Sequence, residues 1–178
     1  KLPEMTATAN ANEYSYTLKN VDAETGVEYL IKVGDLQSDN QKTKEDVTID
    51  FRDICKVKVY GLNGWDKPYL LELADDYKTA KGTIVLEEKN YEFKMVEGNG
   101  DWLGNKGTIE KSESGWTFEK DKDNCKLQTK LAGNYIFTWD VTTNKLSVSY
   151  PVKVTPSVVE NAYFSVGNGE FVQFSTGN

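Results

Sequence analysis

Tyr91-Glu92-Phe93-Lys94-Met95-Val96-Glu97-Gly98-Asn99-Gly100-Asp101-Trp102 alternates large apolar and charged side chains and then breaks into Gly-Asn-Gly. A period of two puts Tyr91, Phe93 and Met95 on one face of an extended strand and Glu92 and Lys94 on the other. The glycines that follow are turn formers, so a tight loop carries Trp102 away from the strand end. The same alternation recurs along the chain. It predicts strands near Tyr14–Val21, Glu28–Val33, Asp46–Phe51, Cys55–Tyr60, Gly82–Leu86, Gly115–Phe118, Cys125–Lys130, Asn134–Asp140 and Lys145–Tyr150. Turn signals separate them: Glu24-Thr25-Gly26, Asn63-Gly64, Glu88-Lys89-Asn90, Ala132-Gly133 and Thr142-Thr143-Asn144. Short strands at intervals of about ten residues point to antiparallel sandwiches rather than βαβ units. Leu70–Tyr77 fits either period in part and is read as strand and loop, and no helix longer than about two turns is expected.

Composition narrows the chemistry. The 178 residues carry 28 acidic and 21 basic side chains, a net charge of −7, and the basic ones are scattered. The electrostatic footprint of a nucleic-acid binder is missing. No run of about 18 apolar residues could form a membrane-spanning helix, so direct membrane insertion is not expected. Neither a signal peptide nor a lipidation motif is visible, and the chain reads as excised from something longer. It contains no histidine, which removes the Ser-His-Asp and Cys-His nucleophile arrangements and the commonest zinc ligand. Adjacent carboxylates such as Asp75-Asp76 and Glu87-Glu88 would point to opposite faces of a strand and cannot by themselves form a glycosidase pair. The expectation is a non-enzyme without cofactor or metal. Asp121-Lys122-Asp123-Asn124 has the oxygen-rich look of a calcium loop but lacks the glycine and distal glutamate of an EF-hand, and is read as a solvated hairpin tip. Cys55 and Cys125 are too few for a disulfide framework and lack metal-type spacing; they are read as small buried hydrophobes, with a bond between them in an oxidising compartment as the alternative.

The chain also echoes itself. Tyr14–Leu18 and Val27–Val33 parallel Lys81–Leu86 and Asn90–Val96, and Asp46–Phe51 with Lys56–Val59 parallels Asn134–Trp139 with Lys145–Val148. Two copies of one module are expected: a truncated or degenerate first repeat over residues 1–55, a complete one over 56–151, and a linker with the start of a further module over 152–178. Cys55–Tyr60 is claimed by both copies, so the modules would share a strand.

Three segments resemble a known module: Val59-Tyr60-Gly61-Leu62-Asn63-Gly64-Trp65-Asp66-Lys67, Tyr91-Glu92-Phe93-Lys94 with Gly100-Asp101-Trp102-Leu103-Gly104-Asn105, and Phe137-Thr138-Trp139-Asp140 with Lys145-Leu146-Ser147-Val148. Residues 56 to 151 resemble the starch- and glycogen-binding modules with an early-set immunoglobulin-like fold, and in particular tandem modules of surface glycan-utilisation proteins of Gram-negative anaerobes. The resemblance implies an all-β fold of tandem immunoglobulin-like antiparallel β-sandwich modules. It also implies a location outside the cell or on its outer surface, a polysaccharide or oligosaccharide ligand, and neighbouring modules of a longer chain as partners. In glucan-binding members, the tryptophans of the turn and of the glycine-rich loop stack on successive sugar rings while a strand lysine donates to hydroxyls. Those roles fall on Trp65, Trp102 and Lys94, with Asn105 as a further hydrogen-bonding candidate. Copy one has Lys32 at the Lys94 position but Gly34-Asp35-Leu36-Gln37-Ser38 where the Trp loop should stand.

A pyranose offers an apolar C–H face to an aromatic ring and a rim of hydroxyls to amides and ammonium groups, so the residue types suit the task. Trp65 has two readings, a stacking ring or a plug at the sandwich end, whereas Trp102 in its Gly/Asn-rich loop should be exposed. Trp116 and Trp139 alternate with polar residues and belong to packing. The function expected is non-catalytic binding of an α-glucan by aromatic stacking. The competing expectation is a structural immunoglobulin-like spacer or adhesin segment that assembles by strand addition through Phe171–Phe174.

Overall fold

The alternating segments of the second two thirds of the chain pair into one large sheet. A computed structural model describes residues 4–9, 13–18 and 21–153, together with the backbone of residues 162–164 and 172–174. In chain order, β1 (Thr6–Ala7), β2 (Tyr14–Ser15), β3 (Val27–Tyr29), β4 (Lys32–Val33), β5 (Leu36–Gln37) and β6 (Gln41–Thr43) precede a helical turn, α1 (Phe51–Ile54). The sheet strands follow: β7 (Val57–Gly61), β8 (Gly64–Leu73), β9 (Thr79–Leu86), β10 (Asn90–Glu97), β11 (Trp102–Gly104), β12 (Thr108–Ile109), β13 (Glu113–Thr117), β14 (Glu119–Lys120), β15 (Cys125–Gln128), β16 (Gly133–Asp140) and β17 (Lys145–Ser149). A last pair, β18 (Ala162–Phe164) and β19 (Val172–Phe174), is antiparallel. The chain is all-β, and among the described residues its one helix is the four-residue α1.

The sheet runs β12-β15-β10-β7-β8-β9-β16-β17-β13, with β11 beside β10 and β14 beside β11. It is mixed, because β12 pairs with β15 in parallel while the other pairs are antiparallel. Its corner is β8. Tyr69–Leu71 pair with β7, and Glu72 and Leu73 pair with β9, so one strand serves two flanks that turn to face each other. Inward side chains of β7, β10, β15, β9, β16 and β17 fill the space between the flanks: Val57, Val59, Phe93, Met95, Leu127, Ile84, Phe137, Trp139 and Leu146 are all fully buried or nearly so. Phe93 on one flank meets Phe137 on the other edge-on at 6.0 Å between ring centroids, and Phe118 bridges Phe93 and Trp139.

Tyr150 draws the far edges together. It follows β17, yet its hydroxyl stands 2.9 Å from the carbonyls of both Ile109 in β12 and Gln128 in β15, donating its one proton to either. Its ring packs on Tyr135 at 4.8 Å. The sheet is therefore close to a closed barrel.

The first third behaves differently from expectation. Asp46–Asp50 forms no strand, and Phe51 starts α1 instead. Asp50 is the reason: its carboxylate accepts from the Arg52 backbone N–H at 2.9 Å, capping the turn, while Phe51 is buried. The expected strand at Glu28–Val33 is interrupted between β3 and β4, where the Ser38 hydroxyl accepts from the Ile31 N–H and the Ser38 N–H donates back to the Ile31 carbonyl. Among the described residues of the expected strand Tyr14–Val21, Tyr14–Ser15 is strand. The echo with the second copy is thus not repeated in the pairing, since β16 and β17 form a hairpin where Asp46–Asp50 forms no strand. The strand claimed twice, β7, pairs with β8 and β10. The expected strand-adding segment Phe171–Phe174 includes β19, which pairs with β18, and its remaining residue and all its side chains lie outside the described residues.

Residues Leu36–Asp39 nonetheless dock on the main sheet. Leu36 joins its hydrophobic core, Asn99 N–H donates to the Gln37 carbonyl, and Lys58 reaches the Asp39 carboxylate at 2.7 Å and the Gly98 carbonyl at 3.0 Å. Gly98, at φ +53°, is held against this segment, and a Cβ there would fall 1.8 Å from the Gln37 carbonyl oxygen. A side chain at that position would push the docked segment away.

Candidate functional site

The outer face of β7, β10 and β11 carries three aromatic rings. Tyr60 is the outward residue at the end of β7 and sits opposite Lys94 of β10. Trp102 opens β11 opposite Val96, placed there by the Gly98-Asn99-Gly100 turn, where the Gly100 N–H donates to the Glu97 carbonyl. Trp65 follows a hairpin in which Gly61 pairs with Gly64 across Leu62-Asn63. From Gly64 to Tyr69 β8 advances five positions while β7 goes back only two from Gly61 to Val59, so a three-residue bulge throws Trp65 outward. Leu62 is the buried plug of this turn, and Trp65 remains 48% exposed, so of its two readings the structure shows an exposed ring.

The three rings converge. Trp102 packs on Tyr60 at 4.5 Å and on Trp65 at 6.3 Å between centroids, with interplanar angles of 40° and 39°. Trp102 is itself 44% exposed. Neither indole N–H has a hydrogen-bond partner among the described residues, and the same is true of the half-buried Lys94 ammonium. Asp101 and Lys120 form an ion pair at 3.0 Å that ties the base of the Trp102 loop to β14.

Asn105 is placed differently. Its amide donates to the Thr117 carbonyl and accepts from the Gly107 N–H, both at 2.6 Å, so it shapes the turn after β11. Tyr60 was not among the expected site residues, although alternation against buried Val57 and Val59 puts it on the outer face.

The other tryptophans are internal. Trp139 is fully buried and donates its indole N–H to Glu97 Oε1 at 2.5 Å, while burial holds the Glu97 carboxyl above the usual glutamate value. Trp116 packs partly buried against the core and donates to Glu113. Cys55 and Cys125 are free and buried, and desolvation pushes their thiols up to about 11 and about 12 respectively, so both are protonated and inert near neutral pH. Among the described residues no cluster of three or more acidic or cysteine side chains could hold a metal ion. Among the described residues no helix is long and apolar enough to cross a membrane.

Beside the aromatic rings, Lys94 also lines an open groove of about 590 Å³ bordered by Glu92, Asn124, Lys126 and the exposed Asp121–Asp123 tip. No family model matches the chain, nor does any curated protein or solved structure.

Proposed function

We propose that residues 56–151 form a non-catalytic glycan-binding module whose ligand is an α-glucan of the starch or glycogen type. The observation that carries this reading is the convergence of two half-exposed tryptophans from separate strands, β8 and β11, 6.3 Å apart on one face, with Tyr60 packed on Trp102. Exposed apolar rings held by the backbone stack on sugar C–H faces with little entropy cost, because their positions are fixed before the ligand arrives. The rings are tilted by 39° rather than coplanar. A tilted pair suits an α-linked chain, whose successive rings turn, better than a flat β-linked ribbon. Lys94, half-buried in register with Tyr60, donates to sugar hydroxyls. Asn105 acts through the turn it holds.

Two facing flanks around one aromatic core support the finer fold reading, an immunoglobulin-like sandwich module. A polymeric ligand implies exposure outside the cell or on its outer surface, beside further modules of a longer chain. Affinity electrophoresis and isothermal titration against soluble starch, glycogen and a β-glucan test the reading. Retardation by starch and glycogen with one site per chain is expected. No retardation by any of the three would leave the structural spacer as the better account, and retardation by the β-glucan alone would overturn the α-glucan assignment.

A further inference from the structure

Outward residues of β10 read Val96, Lys94, Glu92 from the aromatic rings toward β15. Val96 faces Trp102, Lys94 faces Tyr60, and Glu92 faces Lys126. From Val96 to Glu92 the strand advances by about 13 Å. Over this length the face changes from aromatic to polar, and Lys94 links the two parts, in register with Tyr60 and lining the groove. A second open hollow of about 440 Å³ shares Glu92 and Lys126 with the first and carries the trough on toward Thr108.

The groove wall is built by close approach. Gly104 of β11 lies beneath the Lys122-Asp123 backbone, and a Cβ there would stand 2.2 Å from the Asp123 carbonyl oxygen, so the tip can lie on β11 only because this residue has no side chain. Lys106 pairs with Asp123 at 3.6 Å and Asn124 donates to Glu92 at 3.1 Å, which fixes the far side. Lys94 and Lys126 have no carboxylate within ion-pairing distance among the described residues. The groove therefore offers free ammonium donors interleaved with carboxylates that keep unused lone pairs. An anionic ligand would meet Glu92, Asp121 and Asp123. A neutral polyol fits, since each hydroxyl can accept from a lysine and donate to a carboxylate.

We infer that the aromatic rings and this groove form one extended site, in which the groove holds the hydroxyls of the sugar units beyond those stacked on Trp65 and Trp102. The inference rests on the glycan-binding reading and specifies the length and direction of the ligand: an oligosaccharide lying along β10.

The test is isothermal titration of the full chain and of its Lys126→Ala variant with maltotriose and maltoheptaose. Lys126 is exposed, so its removal leaves the fold intact, as far-ultraviolet circular dichroism would verify. A site that takes only three units can be occupied in about five registers by a seven-unit chain, so length alone raises apparent affinity by about fivefold through counting. An extended site raises it more than about tenfold, the expected result, since each added net hydrogen bond multiplies affinity by about two- to tenfold. Lys126→Ala is then expected to weaken maltoheptaose by about three- to tenfold and leave maltotriose unchanged. A ratio at or below fivefold in the parent chain overturns the extended site. A larger ratio that survives Lys126→Ala overturns its assignment to this groove. If neither sugar binds, the glycan reading itself fails and this inference falls with it, a result distinct from the other two.

Discussion

Strand β10 carries two aromatic clusters on its opposite faces. Inward, Phe93 joins Phe118, Phe137 and Trp139, whose rings meet mostly edge-on, at 82° for Phe93–Phe137 and 81° for Phe118–Trp139. Outward, Lys94 and Val96 lie beside Tyr60, Trp102 and Trp65, whose rings tilt by about 40° and stay open to water. The treatment of the indole N–H separates the clusters most sharply. Trp139, dry and enclosed, must satisfy its donor and gives it to Glu97, whereas Trp65 and Trp102 leave theirs to solvent or ligand. Enclosure demands pairing, and exposure leaves a ring usable for recognition.

The largest effect that could break this contrast is on stability. Trp139→Ala empties a fully buried site and should cost about 3–5 kcal/mol in urea denaturation. Trp65→Ala/Trp102→Ala should change stability by less than about 1 kcal/mol yet abolish starch retention. Equal destabilisation by the two changes would erase the distinction between the clusters. The single Trp102→Ala substitution should weaken binding by about 1–3 kcal/mol, a range taken from base–aromatic stacking. A lowered melting temperature with unchanged retention would instead place Trp102 in the core. Lys94→Ala should reduce affinity by a smaller amount, about 0.5–1.5 kcal/mol, because an ammonium exchanges water for sugar hydroxyls; titration calorimetry reads it.

The subtlest test concerns Glu97, the acceptor for the inner indole. Burial raises its carboxyl above the ordinary glutamate value of 4.5, partly opposed by the bond from Trp139. The folded state therefore holds a proton that the unfolded chain has released, and stability contributed by this group falls as pH rises from about 4.5 through the raised value. Glu97→Gln keeps an acceptor for Trp139 and removes the charge. Unfolding free energies measured between pH 4 and 8 should show a flatter profile for the variant and a gain at neutral pH. An unchanged slope would mean that Glu97 ionises in the fold as freely as in water.

Most of this contrast was legible in the sequence. Alternation put Phe93 on one face with Tyr91 and Met95 and assigned Trp139 to packing, and the Gly/Asn-rich segment before Trp102 pointed to its exposure, although that residue opens β11 rather than lying in a loop. What was not legible depends on contacts between distant residues. Nothing local distinguishes Tyr60 from any outward strand residue; only the register of β7 on β10, and of β11 beside it, brings it to Trp102. Asn105 reads as a free amide until Thr117 and Gly107 are folded onto it. Asp46–Phe51 shows strand-like alternation, yet a capping aspartate before a buried phenylalanine favours a helical turn. The corner in β8 was hidden because Pro68 and the exposed Trp65–Lys67 break the periodicity within what proves to be one ten-residue strand.

That corner bears on how the molecule comes apart. Because β8 gives Tyr69–Leu71 to one flank and Glu72–Leu73 to the other, neither flank can be peeled off intact while its neighbour survives. Loss of either set of pairings exposes the same Leu71 and Leu73. Denaturation of residues 57–149 should then be a single all-or-none event, and the Glu72 amide, opposite Lys81 at the corner, should exchange with deuterium only through global opening, among the slowest in the chain.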